Sequence, residues 1–330
     1  MLADGVAFVR FFHTRPVLAV ILVQLPVFAV LAMLRTVDGD EGDYMLASRQ
    51  VIEGRLPYVD FLYTQTPLLP YVYGLWMKLF GLNWYAGRLL SAIFATALGT
   101  LIYVYGTRAF KSQGLALVGL FLFGTSAFVL AWDTTVMTHA LAGLLLFSAF
   151  TVLAVGPRIP RISRFILSGF LLALAVDTRL LILAAVPAFI IGLYGLDAGT
   201  ESRLRRLSQW LLGFVVGLIP TLFFTAINFD AFVFGNLGYH AARNSAGGLA
   251  GDWAQKGAML AELLNLRSAG GETITFQVPL LLALNAYYVV LIARRRAQLN
   301  IPFLRQCSWR LPWFYRRQPT HSTLLCCFHL

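Results

Sequence analysis

Long uncharged apolar runs recur along this chain at close to the length a bilayer crossing needs, and that repetition limits what it can fold into. With 58% hydrophobic residues, 12% charged residues and a mean hydropathy of +0.72, the composition excludes a soluble globular domain. The runs predict an all-α polytopic membrane protein of about eight transmembrane helices: Pro16–Leu34 and residues 87–106, 114–131, 136–155, 165–176, 180–196, 210–227 and 278–293. The first run is too long for a signal-peptide core and ends in no small-residue cleavage site. The fifth is short, and is expected to pair with the sixth as a kinked or partly re-entrant unit. Leu68–Phe80 is apolar but too short to cross, so it is expected to pack at the membrane interface. Its Tyr71, Tyr73 and Trp76, with Trp84 and Tyr85, read as an interfacial aromatic belt.

The net charge of +11 invites a nucleic-acid reading. Its distribution removes it. With the N-terminus inside, the inner segments hold 13 of the Lys and Arg residues and the outer segments 9, while only three acids fall inside and twelve outside. Short basic inner loops and long acidic outer ones follow the positive-inside rule. The expected location is the plasma (inner) membrane, with a cytoplasmic N-terminus and the polar residues gathered on the extracytoplasmic face.

Two long outer loops result, roughly residues 35–86 and 228–277. The first opens with Asp38, Asp40, Glu41 and Asp43 just past the first span. A short amphipathic segment follows, with Tyr44, Ala47, Ser48 and Val51 on one helical face, before Gly54 ends it and Pro57, Pro67 and Pro70 punctuate an aromatic run. A helix start favours anions, which suits a carboxylate base or ligand there; a solvated, helix-capping loop is the plainer alternative. The second loop has a Gly-rich middle and an expected helix over residues 252–266.

Asp40-Glu41, Tyr44, Gly54, Tyr58, Asp60, Pro67-Leu68-Leu69 and Tyr71, then Gly87-Arg88-Leu89 leading into a span, form a recognisable constellation. It resembles the GT-C superfamily of membrane glycosyltransferases, and within it the family 39-like proteins: protein O-mannosyltransferases, lipid A aminoarabinose transferases and their bacterial relatives. The resemblance covers about residues 16–195 well and residues 228–245 weakly. It implies inverting transfer of a sugar from a polyprenyl-phosphate carrier to an acceptor hydroxyl of an envelope lipid, glycan or protein on the outer face. That chemistry needs a carboxylate within reach of the acceptor hydroxyl and donors or cations on the departing lipid phosphate. By resemblance Asp40 is the first candidate for the base and Glu41 the second. Asp133, at a span boundary, is a candidate second acid. Arg179, in Asp177-Thr178-Arg179, is the leading candidate for the carrier phosphate, because its fork binds phosphate oxygens bidentately; neutralisation by Asp177 is the alternative. The aminoarabinose transferases carry a Lys directly before the Pro segment, where this chain reads Gln65-Thr66-Pro67. Arg88, His240 and Arg243 are candidate substitutes, the last two closing over the site with Tyr239 from the second loop. His139, a lone His inside a span, reads as a buried, hydrogen-bonded residue rather than a ligand.

No cofactor is required by this reading. The carboxylates leave a divalent metal open, as in oligosaccharyltransferase relatives. After Arg296 the sequence loses span periodicity, and the tail holds all three cysteines, Cys307, Cys326 and Cys327. Residues 1–296 thus read as a transmembrane domain incomplete on its C-terminal side, and residues 297–330 as an atypical tail of the kind a frameshift leaves. Two rivals to the enzyme stand at this stage: a transporter or flippase of lipid-linked substrates, and an inactive truncated fragment. A transporter should carry midplane ionisable residues and inverted repeats; here the charges cluster on one face and no repeat is visible.

Overall fold

The computed structural model describes residues 15–37, 39–126, 128–155, 161–195, 202–244, 253–254 and 256–258. Among these every regular element is a helix, and an isolated bridge between Pro57 and Phe61 is the one extended pairing. The expected eighth span, the expected helix over residues 252–266 (apart from five of its residues) and the tail lie outside the described residues.

Helix α1, Pro16–Leu34, starts on a proline, whose missing N–H costs nothing at a first helical position. It is followed by α2 (Gly39–Ile52), α3 (Leu68–Phe80), α4 (Trp84–Phe110) and α5 (Gln113–Gly124). Asn83 caps α4 by accepting from Ala86 N at 2.9 Å, and Ser112 caps α5 by accepting from Leu115 N at 3.3 Å. A π-turn over Val129–Asp133 leads to α6 (Thr138–Val155) and then α7 (Arg161–Thr178). The chain breaks at an extended Arg179 and continues as a 3-10 turn (Leu180–Ala185) and α8 (Val186–Gly195). After α9 (Arg203–Gly217), α10 (Ile219–Ile227), α11 (Phe229–Val233) and a π-turn (Phe234–Gly238), α12 (Tyr239–Asn244) closes the described fold.

Helices α1 and α4 are each long and apolar enough to cross a membrane, and α9 with α10 passes the same test as one bent unit. The run over residues 210–227, expected as one straight span, bends by 53° between α9 and α10. Pro220, in the first turn of α10, explains the break: it lacks the N–H that would continue the ladder, and its ring displaces the preceding carbonyl. The run over residues 114–131 is also interrupted, since α5 ends at Gly124. The fifth run gains length instead, because α7 begins at Arg161.

Helix α4 is the hub, contacting α1, α3, α5 and α6, while α6 packs on α7 and α7 on α9. The α7–α9 crossing is the closest. Ile166 O fills the place of a Cβ at Gly213, Trp210 O that at Gly169, and a Cβ at Gly217 would lie 2.6 Å from Ala173 Cβ. Small residues four apart on both helices thus bring the backbones together, as membrane helices do when packing rather than hydrophobic exclusion drives association. Trp210, fully buried, stacks on Phe214 at 5.2 Å in that seam.

Helices α2 and α3 fold over one end of this bundle. Helix α3 has the limits expected of it, but the aromatic belt is split. Tyr73 is fully buried and shares a hydrogen bond with Ser91 at 2.9 Å, whereas Tyr71 and Tyr85 are exposed. Helical geometry is the reason: Leu69, Tyr73 and Met77 share the face turned to α2 and α4.

Candidate active site

At the α2–α3 end, the adjacent acids of α2 part company. Glu41 is wholly buried, in line with Tyr44, Ala47 and Ser48, while Asp40 is exposed. Arg88 of α4 grips Glu41 with two parallel bonds, Nε to Oε1 at 2.8 Å and Nη2 to Oε2 at 2.7 Å. Glu41 Oε1 also accepts from Val136 N at 2.9 Å, ahead of α6. The rest of the guanidinium donates to the end of α1, to Ala32 O (2.8 Å), Arg35 O (2.7 Å) and Thr36 O (3.1 Å). One ion pair thus ties α1, α2, α4 and the start of α6. This differs from the sequence expectation for both residues. Glu41 and Arg88 satisfy each other in the interior, so neither presents a free carboxylate or cation to a substrate.

One turn along α2 from Glu41, the buried Tyr44 belongs to a second cluster. Burial first, and then the Asp40 charge, pushes the Tyr44 phenol up to about 12, against the pull of Arg179 and a hydrogen bond from Gln65. Arg179, half-buried at the break after α7, donates through Nη1 to His139 Nε2 and to Thr138 Oγ1, the latter at 3.4 Å. It makes no ion pair among the described residues, and its Nε and Nη2 donate to none of them. The alternative that Asp177 neutralises it does not hold. Asp177 is buried and turned away, accepting from Thr221 of α10 on Oδ1, while Oδ2 has no partner among the described residues.

The second outer loop reaches the cluster through His240 of α12, whose Nε2 lies 3.0 Å from Thr64 O and 3.4 Å from Gln65 Nε2. An aromatic knot holds the two loops together. Tyr58 meets Phe224 at 5.6 Å and Phe232 at 5.1 Å, Asn228 Nδ2 donates to Tyr58 O at 3.0 Å, and the Tyr58 hydroxyl donates to Gln65 O. Tyr58 takes a left-handed backbone, φ 64°, costly for a bulky residue, in a turn closed by Tyr58 N to Phe61 O at 2.9 Å. Thr66 Oγ1 donates to Val176 O at 2.8 Å, locking the Gln65 segment against the end of α7.

Asp40, Arg179 and His240 therefore gather at this end around Tyr44 and Gln65. Arg88 stands apart, in the ion pair. Arg243 lies on α12, and its side chain is outside the described residues. Tyr44 is a site residue that the sequence does not single out, while His139 is hydrogen-bonded as expected, with Arg179 as its partner. A signal for His139 was present, since a lone His near a span's polar end suits a partner for an intramembrane cation. Among the described residues, no three His, Cys, Asp or Glu side chains gather as a metal site would need.

Asp133 lies in the turn ahead of α6, buried, and burial pushes its carboxyl up to about 7. An unfolded Asp titrates near 3.9, so between roughly pH 4 and 7 the folded chain holds a proton that the unfolded chain releases. Stability therefore falls as pH rises through that window and levels off above it. Asp133→Asn is expected to remove this decline, with the variant melting above wild type past about pH 7 and close to it near pH 4. Parallel melting curves for the two proteins across the window would contradict the assignment.

Three comparisons place this geometry among known proteins. The chain matches the family model of dolichyl-phosphate-mannose-protein mannosyltransferases over residues 64–225, which takes in Gln65, Arg88, Asp133, His139 and Arg179 but stops short of α2 and His240. Among solved structures it is similar to the crystal structure of ArnT from Cupriavidus metallidurans bound to undecaprenyl phosphate, with a TM-score of 0.54 and 20% identity. That match covers 68% of this chain and 43% of the other, so this chain spans less than half of that protein's length. No curated protein sequence matches the chain.

Proposed function

Because the chain is GT-C-like, of the family 39 type that includes protein O-mannosyltransferases and lipid A aminoarabinose transferases, we propose that it transfers a sugar from a polyprenyl-phosphate carrier to an acceptor hydroxyl, with inversion. The proposed setting is the outer face of the inner membrane, with a cytoplasmic N-terminus and about eight spans over residues 1–296, the tail from residue 297 standing apart. The observation that carries the reading is Arg179: a half-buried cation at the break between two apolar helices, with no carboxylate partner among the described residues. A cation in such a place is a site for an anion by default. A lipid phosphate supplies one, and the related ArnT structure is described as bound to undecaprenyl phosphate.

Under this reading Arg179 holds the phosphate through its unengaged N–H groups. His240, docked on the Thr64–Gln65 segment, supports it from the second loop, and Arg243 is proposed as a further phosphate ligand. Asp40, across Tyr44, takes the proton of the acceptor hydroxyl as that oxygen attacks the anomeric carbon and the lipid phosphate departs. Tyr44, whose phenol feels both charges, stays a neutral hydroxyl. Asp133 is the second acid, held in reserve inside the turn. Envelope lipids, glycans and proteins are the proposed acceptor classes, and no cofactor enters the scheme.

Arg179→Ala is expected to weaken undecaprenyl phosphate binding to the purified full chain by about thirtyfold or more, the size of a lost charge-assisted contact. Unchanged binding in a variant that elutes and melts like wild type would remove the carrier from this site.

A further inference from the structure

His139 has no part in the proposed chemistry, yet it bonds Arg179 directly. Arginine nitrogens only donate, so the His139 Nε2 that meets Arg179 Nη1 must be the accepting nitrogen, and the ring's proton sits on Nδ1. Nδ1 is buried with no partner among the described residues. The ring itself is held firmly. Phe128 meets it edge-on at 5.1 Å and Trp132 lies against it at 5.9 Å, while Arg35 sits over Trp132 at 5.7 Å. The structure thus leaves one imidazole N–H unsatisfied in order to turn the other nitrogen toward Arg179.

We infer that His139 is a positioning residue for Arg179, a neutral acceptor that fixes the direction of the guanidinium while leaving its charge for an anionic ligand. A carboxylate at this position would hold the arginine more tightly but cancel its charge. An apolar residue would leave Nη1 with only the long bond to Thr138 and free the side chain to rotate. The imidazole fixes orientation without neutralisation. This inference rests on the reading of Arg179 as the carrier-phosphate ligand.

The test is undecaprenyl phosphate binding to the purified full chain for His139→Gln, His139→Glu and Arg179→Ala. Gln and Glu have nearly the same volume, reach about as far as Nε2 and differ in charge, so a packing role predicts equal losses and the positioning role does not. The expected result is Gln within about threefold of wild type and Glu weaker by about thirtyfold, as an ion pair with Arg179 displaces the phosphate. If the Glu variant fails to fold, His139→Asn, whose shorter amide does not reach the Nε2 position, is expected to bind more weakly than His139→Gln, and equal binding by the two would contradict the role of the acceptor. Equal losses in the neutral and acidic variants, or no loss in either while Arg179→Ala abolishes binding, would overturn the role of His139 and leave the carrier site standing. Binding unchanged in Arg179→Ala would show that the carrier does not use this arginine, and the inference would fall with that reading.

Discussion

Asp40→Asn is expected to lower sugar transfer by about a hundredfold or more, the usual weight of a general base, while leaving undecaprenyl phosphate binding near wild type. The separation follows from where the residue sits. Asp40 is exposed in the first turn of α2, so its amide should cost little folding energy, and the charges of Asp40 and Arg179 act on the Tyr44 phenol in opposite directions. Removing the carboxylate takes away the proton acceptor and leaves the phosphate ligand in place. The assay is initial-rate transfer from a radiolabelled carrier-linked sugar, with binding measured on the same preparation. Transfer within a few-fold of wild type would move the base to Asp133, the other carboxylate candidate.

The second large effect concerns stability. Arg88→Met and Glu41→Ala are each expected to destabilise the fold by about 3–5 kcal/mol, because either change leaves a buried charge without its partner. Arg88→Met should be the worse of the two, since it also strips the donors from Ala32 O, Arg35 O and Thr36 O. Removing both should cost less than the sum of the single losses, and that non-additivity is the signature of a direct pair. Thermal unfolding followed by tryptophan emission measures all three. A loss under about 1 kcal/mol for Arg88→Met would mean that the pair does not hold α1, α2, α4 and α6 together, and would return Arg88 to the list of phosphate ligands.

The contrast between Asp40 and Glu41 marks how far sequence could reach. The acidic pair was visible as a place for chemistry, but two neighbours on a helix point about 100° apart, and only one can face a given partner. The decisive sign was already in the helical face of Tyr44, Ala47 and Ser48. Extending that stripe three residues back lands on Glu41, which makes Glu41 the inward residue. The partner was harder to find, since Arg88 is 47 positions away and its destination depends on how α4 meets α1 and α2. Periodicity and length gave the limits of α1 and α3 directly, because apolar content and a bounding proline or glycine decide such helices locally. The bend after α9 was written in Pro220. Tertiary contacts alone decided that Tyr73 turns inward, that Asp177 reaches across to Thr221, and that His139 meets Arg179.

The most direct test of the account is sugar transfer by the purified full chain in proteoliposomes, offered a panel of radiolabelled polyprenyl-phosphate sugars and a membrane extract as acceptor. Transfer from at least one donor, dependent on the polyprenyl phosphate, is the expected result. No transfer from any donor, with the protein folded and binding undecaprenyl phosphate, would contradict it and favour a protein that binds or moves lipid-linked substrates without acting on them.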